Sequence, residues 1–534
     1  MIRTATAAFL LASAAPLLAQ MNQPAPPPAA TTTATQTSPA PAPAPSSSPQ
    51  TQIAAAPAPV PAPVANAPEP VPMRSVTRHS GVFGGARVDF TATASETFLR
   101  GTDGKAKASI FSVAYVKNGP RDPNRPVTFL WNGGPGSGSL WLHMGAFGPT
   151  RVAIPSDARD DGAPPYPIVA NPDSLLDVTD IVFIDPVGTG FSYALPGTDP
   201  KDYWGVTQDA RSMAQFIRQW LSDNDRWNAP KYIGGESYGT TRAAAVLNQL
   251  EGQYNDVAVN GVLLISTVLD FGAGADTAGN EIGYALNIPS MAATALYHGK
   301  ATDPRGTAAF VEDARRWSTG PYLAALMQGN ALDPTARAEI RRDLARFTGL
   351  SEAYLDRTNL RVTPGRFYRE LLRDRGLSVG RLDSRYTGRD RDAAGEEPDN
   401  DPSFYGIDAG YTAAINQWVR TSLNYRPNRD YGTIGGVRDW DWRLGQGRDG
   451  DAYLNVAPYV SRALRENSGL RIFVGQGWYD FATPFYAAEY ALTRSDFPRD
   501  RISFHYYDSG HMMYIRDEDR AKLTRDIRAF IRGR

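Results

Sequence analysis

The chain has 534 residues, of which 42% are hydrophobic and 21% are charged, enough for one large domain or two ordinary ones with a sizeable core. Its 55 Lys and Arg residues balance 56 Asp and Glu residues, and a formal charge of -1 gives no electrostatic reason to expect nucleic acid or an anionic membrane as a partner. The absence of cysteine excludes disulfides, thiolate metal sites, a cysteine nucleophile and a cysteine-linked lipid anchor.

The N-terminus has the features of a secretory signal. Arg3 precedes an apolar stretch at residues 5–18, and the small Ala19 marks the predicted cleavage site. A retained membrane anchor is the alternative, but the stretch is shorter than the roughly 20 residues that a span needs.

Pro, Ala, Thr, Ser and Gln dominate residues 20–74, and such a composition cannot bury enough apolar surface to fold. We expect a signal peptide at residues 1–19 and a disordered linker at residues 20–74. The mature protein would be periplasmic or extracellular, with no membrane partner.

From residue 75 onward the pattern is typical of a folded α/β domain. β-branched and aromatic runs at residues 87–99 and 109–116 predict an opening antiparallel meander. Short, almost wholly apolar runs then predict strands buried on both faces: Val127–Trp131, Ile181–Ile184, Tyr232–Gly234, Val262–Ile265, Leu470–Val474 and Ile502–Tyr506. Helical patterns lie between several of them, as at residues 213–221, where apolar side chains recur every three or four positions. This alternation predicts a mostly parallel sheet with helices on both faces.

Between residues 272 and 454 the alternation stops, and Arg-rich helical patterns appear at residues 303–347 and 367–375. Because strand patterns resume at Leu470, we predict an insertion that caps the ends of the strands, where loops cluster. A separate domain, independent of the sheet, is the alternative. The predicted organisation is a first core segment at residues 75–271, a cap insertion at 272–454 and a second core segment at 455–534.

A candidate nucleophile lies in the segment Gly235-Glu236-Ser237-Tyr238-Gly239. This segment follows a predicted strand and precedes a helical pattern at residues 240–250. A nucleophile elbow requires that context, because glycines relieve a crowded, strained turn and leave the serine Oγ above the sheet. The bare motif also occurs by chance, so its placement carries the argument. Ser237 is the predicted nucleophile.

A serine hydroxyl needs a base to take its proton, and in this type of fold the acid and the histidine follow the serine along the chain. Of the five histidines, chain order leaves His298, His505 and His511. His298 lies in the predicted cap, and His505 lies inside a predicted strand, which favours a packing role. His511 follows the last predicted strand in a turn and is the predicted base. A turn histidine with local hydrogen bonds is the alternative.

The acid is expected after the preceding strand, and Asp480 follows the run at residues 470–474. Its role would be to hold the imidazole in one tautomer and to stabilise the imidazolium. Asp508 is nearer to His511 in sequence, but an aspartate three residues away in a turn more often caps that turn. Asp480 is therefore the predicted acid, with Asp508 as the alternative.

A glycine-rich loop, Asn132–Gly136, comes directly after the strand pattern at residues 127–131. Glycines there allow backbone N–H groups to approach a reacting carbonyl. The oxyanion donors of this type of fold are the amide after the nucleophile, here Tyr238, and one from such an early loop. Phosphate binding is a poorer interpretation, because no lysine follows the loop.

Four blocks of the chain resemble the signature blocks of the serine carboxypeptidases, which have the α/β-hydrolase fold. They occur in the family's order and span about residue 125 to the C-terminus: Trp131–Gly136, Asp185–Tyr193, Gly235–Tyr238 and Gly510–Met512. The resemblance implies an inserted helical cap, no cofactor or metal, and peptides with a free C-terminus as substrates. It implies release of C-terminal residues through a triad of Ser237, Asp480 and His511.

The same resemblance implies further site residues. The amides of Gly134 and Tyr238 would form the oxyanion hole. The side chains of Asn132 and Glu236 and the amide of Gly133 would bind the substrate's terminal carboxylate. A glutamic acid can hydrogen-bond a carboxylate only while it keeps its proton, so such a site is expected to prefer acid conditions.

The chain departs from the family pattern in three places. Ala146 stands where members often have a glutamate that shares a hydrogen bond with the residue matching Glu236, which bears on carboxylate binding and on the pH optimum. Ser137 replaces a usual disulfide cysteine, so packing alone must stabilise this chain. Gly239-Thr240 replaces Ala-Gly on the far side of the elbow, a structural change.

Since a fold does not determine a function, other activities remain open at this point. The main alternative is an esterase or acyltransferase that uses the same triad on non-peptide esters. An aminopeptidase usually has a histidine where this chain has Asn132, and a non-catalytic binding protein would not need all three triad residues.

Overall fold

The computed structural model of the protein describes residues 70–252, 255–444, 453–494 and 497–533. The predicted signal peptide, and the predicted linker up to residue 69, lie outside the described residues. Contacts group Pro72–Arg534 into one compact unit. Within the described ranges no helix is both long enough and apolar enough to cross a bilayer.

A ten-stranded sheet forms the centre of this unit. Its longer strands are β1 (Arg74–Phe83), β2 (Ala86–Arg100), β3 (Ala106–Lys117), β4 (Val127–Trp131), β5 (Asp180–Ile184), β6 (Lys231–Ser237), β7 (Gly261–Thr267), β8 (Arg471–Gly477) and β9 (Ile502–Tyr507). Their order in space is β1-β2-β3-β5-β4-β6-β7-β8-β9, and the short strand Tyr193–Ala194 pairs with β3. From β5 to β9 each neighbouring pair is parallel, whereas β1, β2 and β3 form an antiparallel meander attached to β5. The predicted α/β-hydrolase fold is confirmed.

The α-helices are α1 (Val206–Asp223), α2 (Tyr238–Leu250), α3 (Phe271–Gly274), α4 (Glu281–Tyr297), α5 (Thr307–Trp317), α6 (Leu323–Gln328), α7 (Pro334–Thr348), α8 (Glu352–Arg357), α9 (Pro364–Glu370), α10 (Pro402–Tyr405), α11 (Asp408–Gln417), α12 (Ala457–Glu466), α13 (Phe485–Thr493) and α14 (Asp517–Ile531). Short π-helical segments lie at Leu142–Phe147, Ser318–Tyr322 and Trp418–Ser422. A 3₁₀ turn at Met513–Ile515 precedes α14.

Helices cover both faces of the sheet because its strands are apolar on both sides. Phe129 of β4 belongs to a core shared with α1, α2 and α12. Its neighbour Leu130 points to the other face and belongs to a core shared with α14 and α11. Successive residues of a strand point to opposite faces, so an uninterrupted apolar run produces two cores.

The segment between β7 and β8 contains α3 to α12 and is largely helical. Its helices α4 to α9 share a core of their own, which also includes Phe481 from the loop after β8. Further along, the Tyr479 carbonyl accepts a hydrogen bond from the Ser384 amide at 3.0 Å, and the Leu382 carbonyl accepts one from the His511 amide at 2.6 Å. This segment therefore contacts the loops at the carboxyl ends of β8 and β9. The limits 272 and 454 of the predicted cap stay a prediction.

Candidate active site

The turn between β6 and α2 is the strained part of the site. β6 ends at Ser237 and α2 begins at Tyr238. Ser237 has a φ of 61° and a ψ of -132°, which a side chain other than glycine adopts only where the surroundings hold it there. A Cβ on Gly235 would lie 2.1 Å from the Gly239 carbonyl oxygen, so this tight turn needs glycine at position 235. The Ser237 side chain is half-buried at the carboxyl end of β6.

The glycine-rich loop after β4 lies against this elbow. A Cβ on Gly133 would be 2.6 Å from the backbone nitrogen of Tyr238 and 2.7 Å from the carbonyl oxygen of Glu236. Only glycine permits so close an approach of the two backbones. Gly134, with a φ of 103°, turns the loop further. The amides predicted as oxyanion donors, those of Gly134 and Tyr238, thus belong to two segments in direct contact.

A buried ion pair holds the loop against the elbow helix. Arg242 donates one hydrogen bond to the Asn132 carbonyl and another to Asp209, each at 2.5 Å. The Trp131 indole donates to the Gly239 carbonyl at 2.8 Å. The Arg242 and Asp209 side chains are 0% and 3% exposed, so loss of one partner would leave the other charge buried without its ion pair.

Asp480 and His511 are in direct contact. His511 Nδ1 lies 2.8 Å from Asp480 Oδ2, and both residues are buried. Asp480 Oδ1 accepts the amides of Ala482 at 2.8 Å and Thr483 at 3.0 Å, and the Thr483 hydroxyl donates to Oδ2 at 2.7 Å. These bonds fix the carboxylate so that it faces Nδ1, which leaves Nε2 as the ring nitrogen for proton transfer.

β7 connects the histidine loop to the elbow. The Ser266 hydroxyl donates to the His511 carbonyl at 2.5 Å, and the next residue, Thr267, is the register partner of Ser237. On its other side the His511 amide donates to the Leu382 carbonyl. The loop is therefore held between the sheet and the inserted segment.

Two opposing effects set the basicity of His511. Burial lowers the pKa of His511, but the charge and the hydrogen bond of Asp480, together with the charge of Glu236, outweigh burial and raise the pKa above its usual value of 6.5. A histidine that acts as a base must be neutral, so proton abstraction is expected to improve as the pH rises through this raised pKa.

Glu236 is a buried carboxyl beside the elbow. The Tyr514 hydroxyl donates to its Oε2 at 2.7 Å, and the Asn132 side chain is held by its Oδ1, which accepts the Leu142 amide at 3.0 Å. Burial raises the pKa of Glu236 to about 7, although the positive charge of His511 and the hydrogen bonds from Tyr514 and Asn132 act in the opposite direction. Below this pH the group is a carboxylic acid and can donate a hydrogen bond.

The rejected alternatives have other surroundings. Asp508 is exposed on the surface. His505 lies 3.4 Å from Asp526 and stacks on a phenylalanine of β8, in keeping with a packing role. His298 is 2.7 Å from the Ser384 carbonyl. His298 follows α4 in the inserted segment, and His505 lies within β9.

Sequence reasoning missed several residues that hold the site. These are Thr483 beside the acid, Ser266 beside the base, Arg242 beside the glycine-rich loop and Tyr514 beside Glu236. Thr483 could have been found as a turn residue three positions after Asp480. The other three make contacts between distant parts of the chain, for which no local pattern exists. Ala146, at the position where members of the family often have a glutamate, is buried. In this chain the Tyr514 hydroxyl is a hydrogen-bond partner of Glu236.

Part of the chain matches a known protein family. Residues 99–288 match the family model described as serine carboxypeptidase. This segment includes the glycine-rich loop and the elbow and ends before Asp480 and His511. The curated protein serine carboxypeptidase-like 36 of Arabidopsis thaliana is 32% identical over 115 residues, which are 21% of this chain and 22% of that protein. The matched segment thus spans about a fifth of the length of this relative.

Two solved structures of other proteins align with most of this chain. A prohormone-processing carboxypeptidase from Saccharomyces cerevisiae is 13% identical, with a TM-score of 0.49, over 83% of this chain and 91% of that chain. Juvenile hormone epoxide hydrolase from the silkworm Bombyx mori is 11% identical, with a TM-score of 0.32, over 83% of this chain and 78% of that chain.

The contact between Asp480 and His511 leads to a first prediction. Asp480→Asn should lower kcat for an activated ester about 10⁴-fold, because an amide favours the wrong imidazole tautomer. The matched change Asp508→Asn, at an exposed aspartate, should have little effect. Steady-state rates of both variants, compared at equal folded protein, check this. A larger loss in Asp508→Asn would transfer the role of the acid to that residue.

Proposed function

We propose that this chain, whose residues 99–288 match the serine carboxypeptidase family model, releases C-terminal residues from peptides through Ser237, His511 and Asp480. The observation that carries the proposal is a buried, protonatable Glu236 directly before the candidate nucleophile. A terminal carboxylate is the feature that distinguishes a carboxypeptidase substrate, and a neutral carboxylic acid is a suitable donor for it.

The proposed reaction has two steps. His511 Nε2 takes the proton of the Ser237 hydroxyl while Oγ attacks the last peptide carbonyl, and the same proton then passes to the leaving amine as the C–N bond breaks. The freed C-terminal residue departs, and water then attacks the ester between Ser237 and the remaining peptide while giving a proton to His511. That proton passes to Ser237 Oγ as the ester bond breaks, which restores the free serine and the neutral histidine. Asp480 stabilises the imidazolium in both steps.

The tetrahedral intermediates of both steps carry a negative oxygen. The backbone amides of Gly134 and Tyr238 would donate to it, supported by the close packing of the glycine-rich loop on the elbow. Donors that are already fixed in place need no reorganisation during the reaction. The Arg242 bridge to the Asn132 carbonyl supports such fixation.

The substrate's terminal carboxylate belongs to the residue that is released, so it would lie on the leaving-group side of the scissile bond. Asn132 and Glu236 side chains and the Gly133 amide would bind it. Glu236 can donate only while it is protonated, because two carboxylates in contact cannot both stay ionised. This requirement makes the proposed specificity dependent on pH.

Export from the cytoplasm is a further part of the proposal. Its support is the apolar stretch at residues 5–18 with Ala19 after it, followed by the Pro- and Ala-rich residues 20–74.

A second prediction concerns the nucleophile. Ser237→Ala should lower kcat by about 10⁵ to 10⁶ without unfolding the protein, as expected for loss of a triad serine. A fluorophosphonate reagent should label Ser237 alone, because on this proposal only its hydroxyl has His511 as a base. His511→Ala should stop labelling and His505→Ala should not, and mass spectrometry of the labelled peptide reads out each case. Label at another serine would relocate the site.

A third prediction concerns the charge of Glu236. For a peptide with a free C-terminus, kcat/KM should fall as the pH rises through about 7, where Glu236 loses its proton, whereas hydrolysis of a neutral ester should not follow that titration. Glu236→Gln should flatten the fall, since an amide donates at every pH.

The control for this prediction is Glu251→Gln, which changes another buried glutamate whose pKa burial also raises. It should leave both pH profiles as in the wild type. Parallel profiles for peptide and ester in the wild type would contradict the carboxylate-binding role of Glu236 and favour an esterase.

A further inference from the structure

Four buried polar side chains lie close together beside the elbow. Glu236, Asn132, Tyr411 and Tyr514 are each no more than 3% exposed. Among them the contact between the Tyr514 hydroxyl and Glu236 Oε2, at 2.7 Å, joins residues 278 positions apart. The loop that supplies His511 thus also supplies a partner for Glu236.

A glycine in a π-helical segment leaves space for the Tyr514 ring. The π-helical segment Leu142–Phe147 passes the ring at Gly145, where a Cβ would lie 2.6 Å from the Tyr514 ring and 2.5 Å from the Tyr411 hydroxyl. Glycine at position 145 therefore allows both tyrosines to approach. The Tyr514 backbone belongs to the 3₁₀ turn Met513–Ile515, in which the Ile515 amide donates to the Met512 carbonyl.

A buried carboxyl needs a partner in each of its charge states. The titratable groups that act on Glu236 are His511, whose positive charge favours ionisation, Asp480, whose negative charge opposes it, and the two tyrosines. Burial and Glu236 itself raise the pKa of Tyr514 well above its usual value, so Tyr514 stays neutral at working pH. A neutral hydroxyl can donate to an ionised carboxyl and accept from a protonated one.

We propose that Tyr514 is the positioning residue of the carboxylate subsite, whose hydroxyl fixes Glu236 through Oε2 and leaves the other carboxyl oxygen for the substrate's terminal carboxylate. This inference rests on the proposed function. Tyr514 does not touch the substrate's reacting atoms. It acts through Glu236, so its contribution applies to substrates with a free C-terminus and not to neutral esters.

Tyr514→Phe tests the proposal, because it removes only the hydroxyl. For a peptide with a free C-terminus, kcat/KM should fall about 10- to 100-fold, the usual effect of losing a hydrogen bond to a charged or buried group, with most of the loss in KM. Hydrolysis of a neutral ester should change little. The pH at which peptide hydrolysis falls should rise, because the Tyr514 hydroxyl lowers the pKa of Glu236.

Tyr115→Phe is the matched control. Tyr115 is also buried, and its hydroxyl contacts His143 at 2.6 Å and accepts from Trp418 at 2.8 Å. Tyr115→Phe also removes a buried hydroxyl, but any change in kcat/KM should be the same for the peptide and for the ester. Equal losses on peptide and ester in Tyr514→Phe, or no loss on either, would overturn the proposal.

A second measurement separates this proposal from the proposed function. The infrared carboxyl band that disappears in Glu236→Gln reports the titration of Glu236 in the free protein. Its midpoint should lie near 7 in the wild type and higher in Tyr514→Phe. A wild type that hydrolyses esters but no peptides would refute carboxypeptidase activity, and the infrared midpoint would still decide the role of Tyr514. An unchanged midpoint would overturn that role in either case.

Discussion

Ser237 turns the chain from strand to helix with a φ of 61° and a ψ of -132°, and a backbone in this region persists only when neighbouring structure holds it. The surrounding residues are arranged to do so. Gly235 lets the turn close on Gly239, and Gly133 lets the loop after β4 lie against the Tyr238 amide. The strained Ser237 thus lies at the carboxyl end of β6, with the glycine-rich loop and the start of α2 packed beside it. The same turn puts Glu236 in a buried position before the serine.

The proposed chemistry demands opposite protonation states from two neighbours, both of which are uncharged in the active form. His511 must be neutral to accept a proton, while Glu236 must be protonated to bind a carboxylate. Asp480 raises the pKa of His511, and burial raises that of Glu236 to about 7. The charge of each also favours ionisation of the other, so the pair titrates jointly. In the active form His511 is neutral and Glu236 is protonated, whereas in the competing form His511 is protonated and Glu236 is ionised. Both forms hold the same number of protons, and the ratio of the active form to the competing form limits the fraction of active protein. On this account peptide hydrolysis is confined to a limited range of pH.

Local patterns in the sequence were sufficient for the parallel strands of the central sheet and for the turn from β6 to α2. Apolar runs of three to five residues correspond to β4 to β9, because strands buried on both faces leave few polar positions. The last of them, β9, lies at the edge of the sheet and is mostly half-buried. β1 was not predicted, since this edge strand alternates exposed with half-buried residues and has no apolar face. The contact of Asp480 with His511 followed from strand order, which brings successive loops to one end of the sheet. Arg242 and Tyr514 could not be found in this way, because their partners lie 110 and 278 positions away.

The most direct test of the central claim compares one peptide with its C-terminal amide, using purified wild-type protein and mass spectrometry of the products. The two substrates share each side chain and differ only in the terminal charge that Glu236 and Asn132 would recognise. The account predicts stepwise release of the last residue from the free acid, with kcat/KM on the order of 10² higher than for the amide. Equal cleavage of both, or cleavage of neither alongside rapid ester hydrolysis, would contradict it.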